Sequence, residues 1–381
     1  MTTTINNEHK KLNVPNLRFP EFQGEWEKCI LGDITENFNL RNKDKIQYPM
    51  FSVTNDRGFV PQSEQFEGRD MVGEDIKAYK IIHTNDFAYN PARINVGSIA
   101  MYTGEKPCMI SSLYVCFKTT KEVNNEWLMQ LLKTPKMNYY YNVNGEGGVR
   151  VYLFYPNFAR IRMSIPKIEE QKKIAKLLNL IDERIATQNK IIDKLQSLIK
   201  GISSRIFTSI QGIEYRMGDI VTITNGNSNV QDAVTQSKDG LYPFFDRSED
   251  IKYLPTFLFD KEAIIYPGEG TEFMPRYFKG KFALHQRCYA IFDFNEIINA
   301  RFLYFYLKTR NSYFVKNAVG STVPSLRLDT FQKLKVIIPP KKIQHSVSLC
   351  LSSMEQKCNV EKKILHKLLK QKQYLLRQMF I

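Results

Sequence analysis

No run of 18 or more consecutive apolar residues occurs in this 381-residue chain, which removes a membrane-spanning helix from the expectations. Six cysteines (Cys29, Cys108, Cys116, Cys288, Cys350, Cys358) form no Cys-x-x-Cys pair, and no His-x-x-His accompanies them. That pattern argues for reduced thiols in a cytoplasmic protein, against a disulfide framework or a zinc site. The phosphate-binding signature Gly-x4-Gly-Lys-Ser/Thr is missing, so an ATP-driven motor is not expected. Gly145-Glu146-Gly147-Gly148 and Gly268-Glu269-Gly270 lack the Gly-x-Gly-x-x-Gly spacing and read as turns. The five histidines stand singly, none spaced as a nucleophile–base pair, and no carboxylate cluster marks a nuclease. A catalytic site, a metal and a cofactor are therefore not expected. Residues 1–14 are polar and read as a flexible leader, with no apolar core for a signal peptide.

What the chain does have is itself, twice. Ile165-Pro166 opens a helical stretch ending at Phe207, and Ile338-Pro339 opens another ending at Phe380, at a constant offset of 173 residues. Gln171 falls on Gln344, Leu178 on Leu351, Ile191 on Ile364 and Leu195 on Leu368. Upstream the match continues through Gly147 on Gly320, Leu153 on Leu326 and Phe158 on Phe331. Leu31-Gly32-Asp33-Ile34 answers Met217-Gly218-Asp219-Ile220 at the start of each half. A period this long is the size of a domain, not of a solenoid repeat. The expected order is a leader (1–14), a globular unit (15–165), a helix (166–207), a second unit (208–338) and a second helix (339–381).

Net charge is +15, and the two helical stretches carry +11 of it. A basic chain points to nucleic acid, although lysines solvating two exposed helices would give the same count. Ile174, Leu178, Ile181, Ile185, Gln188, Ile192, Leu195, Ile199, Ile202 and Ile206 step by four and three, a heptad seam with one polar intruder. The second helix continues the pattern with Leu351, Met354, Cys358, Glu361, Leu365, Leu368, Lys372, Leu375 and Met379. Antiparallel pairing of the two helices would hide both seams and bring Gln188 to Glu361; packing of each seam on a globular unit or another protein is the alternative. Lys372 stands where the first helix has Ile199, leaving that end either loosely paired or reserved for a partner. Gly201 makes a slight bend in the first helix plausible on propensity grounds.

The globular units read as α+β, with strands expected at residues 110–117, 289–292 and 334–338 and a helix at 126–134 and 300–309. Between shared framework positions the halves diverge. One has Asn55-Asp56-Arg57-Gly58 and Tyr89-Asn90-Pro91-Ala92-Arg93-Ile94-Asn95. The other has Asn225-Gly226-Asn227-Ser228-Asn229, Tyr266-Pro267-Gly268-Glu269-Gly270-Thr271 and His285-Gln286-Arg287. Arg pairs with guanine edges and Asn or Gln with adenine edges. The same residue types also build ordinary turns.

Pro15-Asn16-Leu17-Arg18-Phe19-Pro20 leading to Trp26, the Leu31-Gly32-Asp33-Ile34 element and the repeated Ile-Pro…Gln…Phe helices together resemble the DNA-specificity subunits of type I restriction–modification systems. The resemblance covers nearly the whole chain. It implies two duplicated α+β target-recognition domains separated by two long helices, which form an antiparallel coiled coil with pseudo-two-fold symmetry. It also implies a non-catalytic subunit that binds double-stranded DNA, with each domain reading half of an asymmetric bipartite target. The helices would act as a spacer of ~55 Å, about 16 base pairs, and would dock two methyltransferase subunits, restriction/translocase subunits joining for cleavage. On this reading Arg57, Asn90, Arg93, Asn95 and Arg150 contact DNA in the first unit. Asn225, Asn227, His285, Gln286, Arg287 and Arg327 do so in the second. Ile181, Ile185, Gln188, Ile192, Leu195, Met354, Cys358, Glu361, Leu365 and Leu368 serve helix pairing or subunit docking. The runner-up is a DNA methyltransferase or nuclease with a fused recognition region. Asn90-Pro91-Ala92-Arg93, however, lacks the second proline and the stacking aromatic of the amino-methyltransferase motif. A coiled-coil nucleic-acid-binding scaffold is the third reading. The bases recognised are not legible in the sequence.

Overall fold

The computed structural model describes residues 12–65, 76–147 and 151–381. Among the described residues no helix is long and apolar enough to cross a membrane. They form two units, one running to Thr187 and including Leu365–Ile381, the other comprising Gln188–Ile364. Each long helix (Ile168–Ser209 and Lys341–Gln378) contributes to both units.

In the first unit an antiparallel sheet runs in the order Thr35–Phe38, Val115–Thr119, Phe87–Tyr89, Ile99–Met101. Two smaller ladders pair Phe51–Thr54 with Gly58–Pro61 and Lys80–Ile82 with Cys108–Ile110. The apolar run expected as one strand at 110–117 is thus broken by the turn at Ser111–Tyr114, and its ends belong to different sheets. The second unit holds one six-stranded sheet in the order Thr222–Asn225, Cys288–Phe292, Phe259–Pro267, Arg276–Leu284, Tyr242–Phe245, Lys252–Leu254. All its pairs are antiparallel except Tyr242–Phe245 with Arg276–Leu284. The expected helices lie at Asn125–Leu132 and Ala300–Lys308.

The repeat is clearest where the long helices enter. A two-stranded ladder closes each unit, Glu27–Ile30 against Arg162–Ile165 and Ile213–Arg216 against Lys335–Ile338. Each ladder leads through proline into a long helix, Pro166 ahead of Ile168 and Pro339-Pro340 ahead of Lys341, where no intrahelical N–H is needed. Gln171, 1% exposed, donates to the Pro166 and Glu122 carbonyls and accepts from the Asn124 amide. Gln344, fully buried, does the same with Pro339, Ile297 and Asn299. Asn124 and Asn299 in turn cap the helices Asn125–Leu132 and Ala300–Lys308. One amide side chain therefore joins strand exit, helix start and the neighbouring cap in both halves. The ring that ends each helix is also used alike: Phe207 packs edge-on to Phe302 at 5.5 Å, and Phe380 lies 6.0 Å from Trp127.

Within each unit the two helix segments run antiparallel. In the second, Gln188 donates to the Glu361 carboxylate at 2.5 Å, while Ile202 and Ile206 share a core with Val347, Leu351 and Met354. Lys357 and Gln188 hold the Glu361 carboxyl below its ordinary range against the desolvation there. In the first, Leu178, Ile181 and Ile185 pack with Leu375, Leu376 and Met379. Ile192, Cys358 and Leu368 are buried, and Leu195, Met354 and Leu365 are half-buried. Lys372 is neither loose nor spare: it pairs with Asp182 at 2.5 Å, and Gln130 donates to the other Asp182 oxygen. At the equivalent position of the repeat Glu355 is held by Lys308 and Tyr304 instead.

Residues 1–11 of the expected leader lie outside the described residues. Asn13 is tied down, its carboxamide donating to the Trp26 carbonyl and Ser164 hydroxyl. The first long helix is continuous through Gly201, where an added Cβ would meet nothing within 4 Å. Gly201→Ala is expected to stabilise the second unit by about 0.5–1 kcal/mol, read as a raised urea midpoint by circular dichroism. An unchanged or lowered midpoint contradicts that expectation.

Candidate nucleic-acid interface

In the first unit the hairpin Phe51–Thr54/Gly58–Pro61 turns through Asn55, Asp56 and Arg57. Thr54 fixes this turn, its hydroxyl accepting from the Arg57 amide at 3.1 Å and donating to the Gly58 carbonyl at 3.2 Å. Facing it is the loop after Phe87–Tyr89. The Asn90 side chain accepts from the Ala92 amide at 3.0 Å, a local turn that projects Arg93 outward. Gly97, at φ +104°, lies against this hairpin; a Cβ there would come within 2.9 Å of the Asn55 carbonyl. The Ser98 hydroxyl donates to the Val53 carbonyl and completes the join. A depression of about 420 Å³ results, lined among others by Arg57, Asn90, Arg93, Asp56 and Tyr114. Arg57 and Arg93 are exposed, and no side-chain hydrogen bond or ion pair holds either among the described residues. Asn95 points elsewhere, donating to Asn142 on the helix Pro135–Asn144. Arg150 lies outside the described residues.

In the second unit a depression of about 300 Å³ gathers His285, Gln286 and Arg287 with Asp246, Arg247 and Glu269. The backbone builds it by close approach: a Cβ on Gly268 would sit 2.1 Å from the Arg287 carbonyl. Arg287 Nη1 donates to both Glu269 oxygens at 2.8 and 3.0 Å, an exposed pair worth at most about 1 kcal/mol and readily exchanged for a ligand. Burial lowers the His285 pKa, with Asp246 opposing, which favours the neutral ring. Its Nδ1 accepts from the Arg287 amide at 3.2 Å, which leaves the proton on Nε2 as a donor. Asn225 donates to the Gln286 carbonyl and steadies that turn. Asn227 and Arg327 are exposed but do not line the depression.

The structure thus brings Arg57, Asn90 and Arg93 to one depression, and His285, Gln286 and Arg287 to another. Tyr114 in the first lining and Asp246 and Arg247 in the second were not singled out in the sequence, and Asp56 and Glu269 were noted only as members of divergent loops. Arg247 carried one usable signal, a cation directly after the apolar run Phe244-Phe245 and its acidic stop.

Residues 23–197 and 213–370 both match the family model described as type I restriction modification DNA specificity domain. The chain is 26% identical over 210 residues to a putative type I restriction enzyme specificity subunit, MjaX, of Methanocaldococcus jannaschii, covering 52% of this chain and 49% of that protein. It is 30% identical over 123 residues to the EcoDI specificity subunit of Escherichia coli, covering 32% and 26%. The chain thus spans about half, or less, of the length of these curated relatives. The crystal structure of a type I restriction-modification S subunit from M. genitalium superposes with TM-score 0.66 at 15% identity, covering 97% of this chain and 99% of that one. A chain from a structural study of type I assembly and conformational transition gives 0.54 at 12% identity, covering 93% and 97%. These two likenesses concern the fold.

Proposed function

Since the chain belongs to the type I restriction–modification DNA-specificity family, we propose that it is the non-catalytic specificity subunit of such a complex, acting on double-stranded DNA in the cytoplasm. Each unit reads one half of an asymmetric split target. The long helices dock two methyltransferase subunits, and restriction/translocase subunits join for cleavage. The observation that carries this reading is the contrast between framework and depression. Gln171 and Gln344 make the same three hydrogen bonds in both halves. The depressions share an Asp-Arg step, Asp56-Arg57 in one and Asp246-Arg247 in the other, but otherwise differ: Asn90, Arg93 and Tyr114 line the first, and Glu269, His285, Gln286 and Arg287 the second. A repeated scaffold with divergent polar surfaces suits two targets of different sequence, because base edges are distinguished by the donors and acceptors set against them.

The chemistry of each surface sets its role. Arg57 and Arg93 offer two forked donors beside the Asn90 carboxamide, while the other unit offers Arg287, Gln286 and the Nε2–H of His285. Lysines on the two helices supply sequence-independent attraction to phosphates, which makes the affinity salt-dependent. Genome-wide methylation of the host, with the gene intact and deleted, tests the reading. Loss of methylation at one split, asymmetric motif is expected; an unchanged methylome contradicts it. Arg93→Ala and Arg287→Ala should each weaken methylation of that motif about 10- to 100-fold while the partner subunits still co-purify. Full methylation in both variants would remove these residues from the interface.

A further inference from the structure

One wall of the second depression is a short loop whose order exceeds what a surface turn needs. The strand Tyr242–Phe245 ends at Asp246, which is 5% exposed. One Asp246 oxygen accepts from the Ser248 amide at 2.8 Å and the Ser248 hydroxyl at 2.5 Å; the other accepts from Lys252 at 2.6 Å. The Ser248 carbonyl accepts from Arg276, whose guanidinium lies over the Phe245 ring. Arg247 sits between these two anchored residues. It is exposed, it lines the depression beside His285 and Arg287, and no hydrogen bond or ion pair holds it among the described residues.

A buried carboxylate is costly unless several donors satisfy it, and here the donors all fix the backbone that carries Arg247. Phosphate contact does not require that degree of aim, since it is tolerant in direction. Charge favours the same conclusion: Asp246 and Glu269 line the depression beside Arg247 and Arg287, which weakens the site for a polyanionic backbone. An arginine launched from a fixed backbone, its planar fork free of partners among the described residues, matches a pair of acceptors in one plane, and guanine presents O6 and N7 in that arrangement in the major groove.

We propose that Arg247 reads a guanine in the half-site of the second unit, and that Asp246 is its positioning residue. This rests on the DNA-reading function given above and goes beyond it by naming a residue and a base. The test compares host methylomes carrying the intact gene, its deletion, and Arg247→Ala, Arg247→Lys, Asp246→Asn and Ser248→Ala. Arg247→Ala is expected to make one G·C position of one half-motif degenerate, with roughly 10- to 100-fold loss of discrimination there, and to leave the other half-motif intact. Arg247→Lys should show the same degeneracy, because an ammonium cannot reproduce the fork. Asp246→Asn and Ser248→Ala should relax the same position to a smaller extent, a change that general loss of stability would not produce. An unchanged motif in Arg247→Ala overturns the proposal. So does weakening that is equal at every position, which would place Arg247 on a phosphate. A methylome that does not respond to deletion overturns the underlying reading, and this proposal with it.

Discussion

Gln171→Leu is expected to destabilise the first unit by about 3 kcal/mol, and Gln344→Leu the second by a similar amount. Each glutamine donates to two carbonyls and accepts from one amide, all at 2.7–3.1 Å. Leucine keeps most of the volume but leaves those three groups without the partner it replaced, and a stranded buried group costs about 1–3 kcal/mol. The expected net value allows for partial relaxation and for water reaching the Glu122 and Ile297 carbonyls. Tryptophan fluorescence separates the two cases, because both tryptophans, Trp26 and Trp127, are buried in the first unit. In urea, Gln171→Leu should move the fluorescence midpoint, and Gln344→Leu should appear chiefly in circular dichroism. A loss under 1 kcal/mol in both variants would mean that the repeated hydrogen bonds are incidental. A fluorescence shift in Gln344→Leu equal to that of Gln171→Leu would mean that the units unfold as one.

These glutamines also mark how far the sequence could be read. Their coincidence at an offset of 173 was legible, and so was the seam that brings Gln188 to Glu361, because periodicity and duplication are properties of residue order. Their role was not. It depends on carbonyls of Glu122 and Ile297, 49 and 47 residues away, and no local pattern predicts which loop carbonyl a helix will meet. Lys372 shows the same limit. As a seam residue it looked like a defect, but Asp182 opposite it is a one-residue counterpart that only the fold identifies. At the two depressions, residues adjacent in sequence stay together in the fold, as with His285, Gln286 and Arg287. The placement of members contributed by distant turns, Asp246 and Glu269 for example, became visible only when the six-stranded sheet set Tyr242–Phe245 beside Arg276–Leu284 and Phe259–Pro267 beside Cys288–Phe292. Asn95 shows the converse: two residues beyond Arg93 the chain has already turned, and the side chain meets Asn142 and not the depression.

The Pro15-to-Trp26 segment supplies the second large effect. Arg18 makes a two-pronged contact with Glu170, Nε to one oxygen at 2.8 Å and Nη2 to the other at 2.7 Å, and Trp26 Nε1 adds a longer bond of 3.3 Å. Glu170 is 1% exposed. Arg18→Ala should therefore cost about 3–5 kcal/mol, because removing one member of a buried pair strands the charge of the other. Most of that loss belongs to the stranded carboxylate and not to missing attraction, so Arg18→Ala/Glu170→Leu should recover much of it. At the equivalent position of the second unit stands Ile343, which is 45% exposed, so the repeat there does without a buried charge. Urea unfolding followed by tryptophan fluorescence reads the effect directly, since Trp26 is itself a partner. If Arg18→Ala falls within 1 kcal/mol of the wild type, the pair does not hold the segment. If the double variant is no better than the single, the cost lies in the lost contacts of Arg18 with the Gln23 and Gly24 carbonyls and not in the charge left behind.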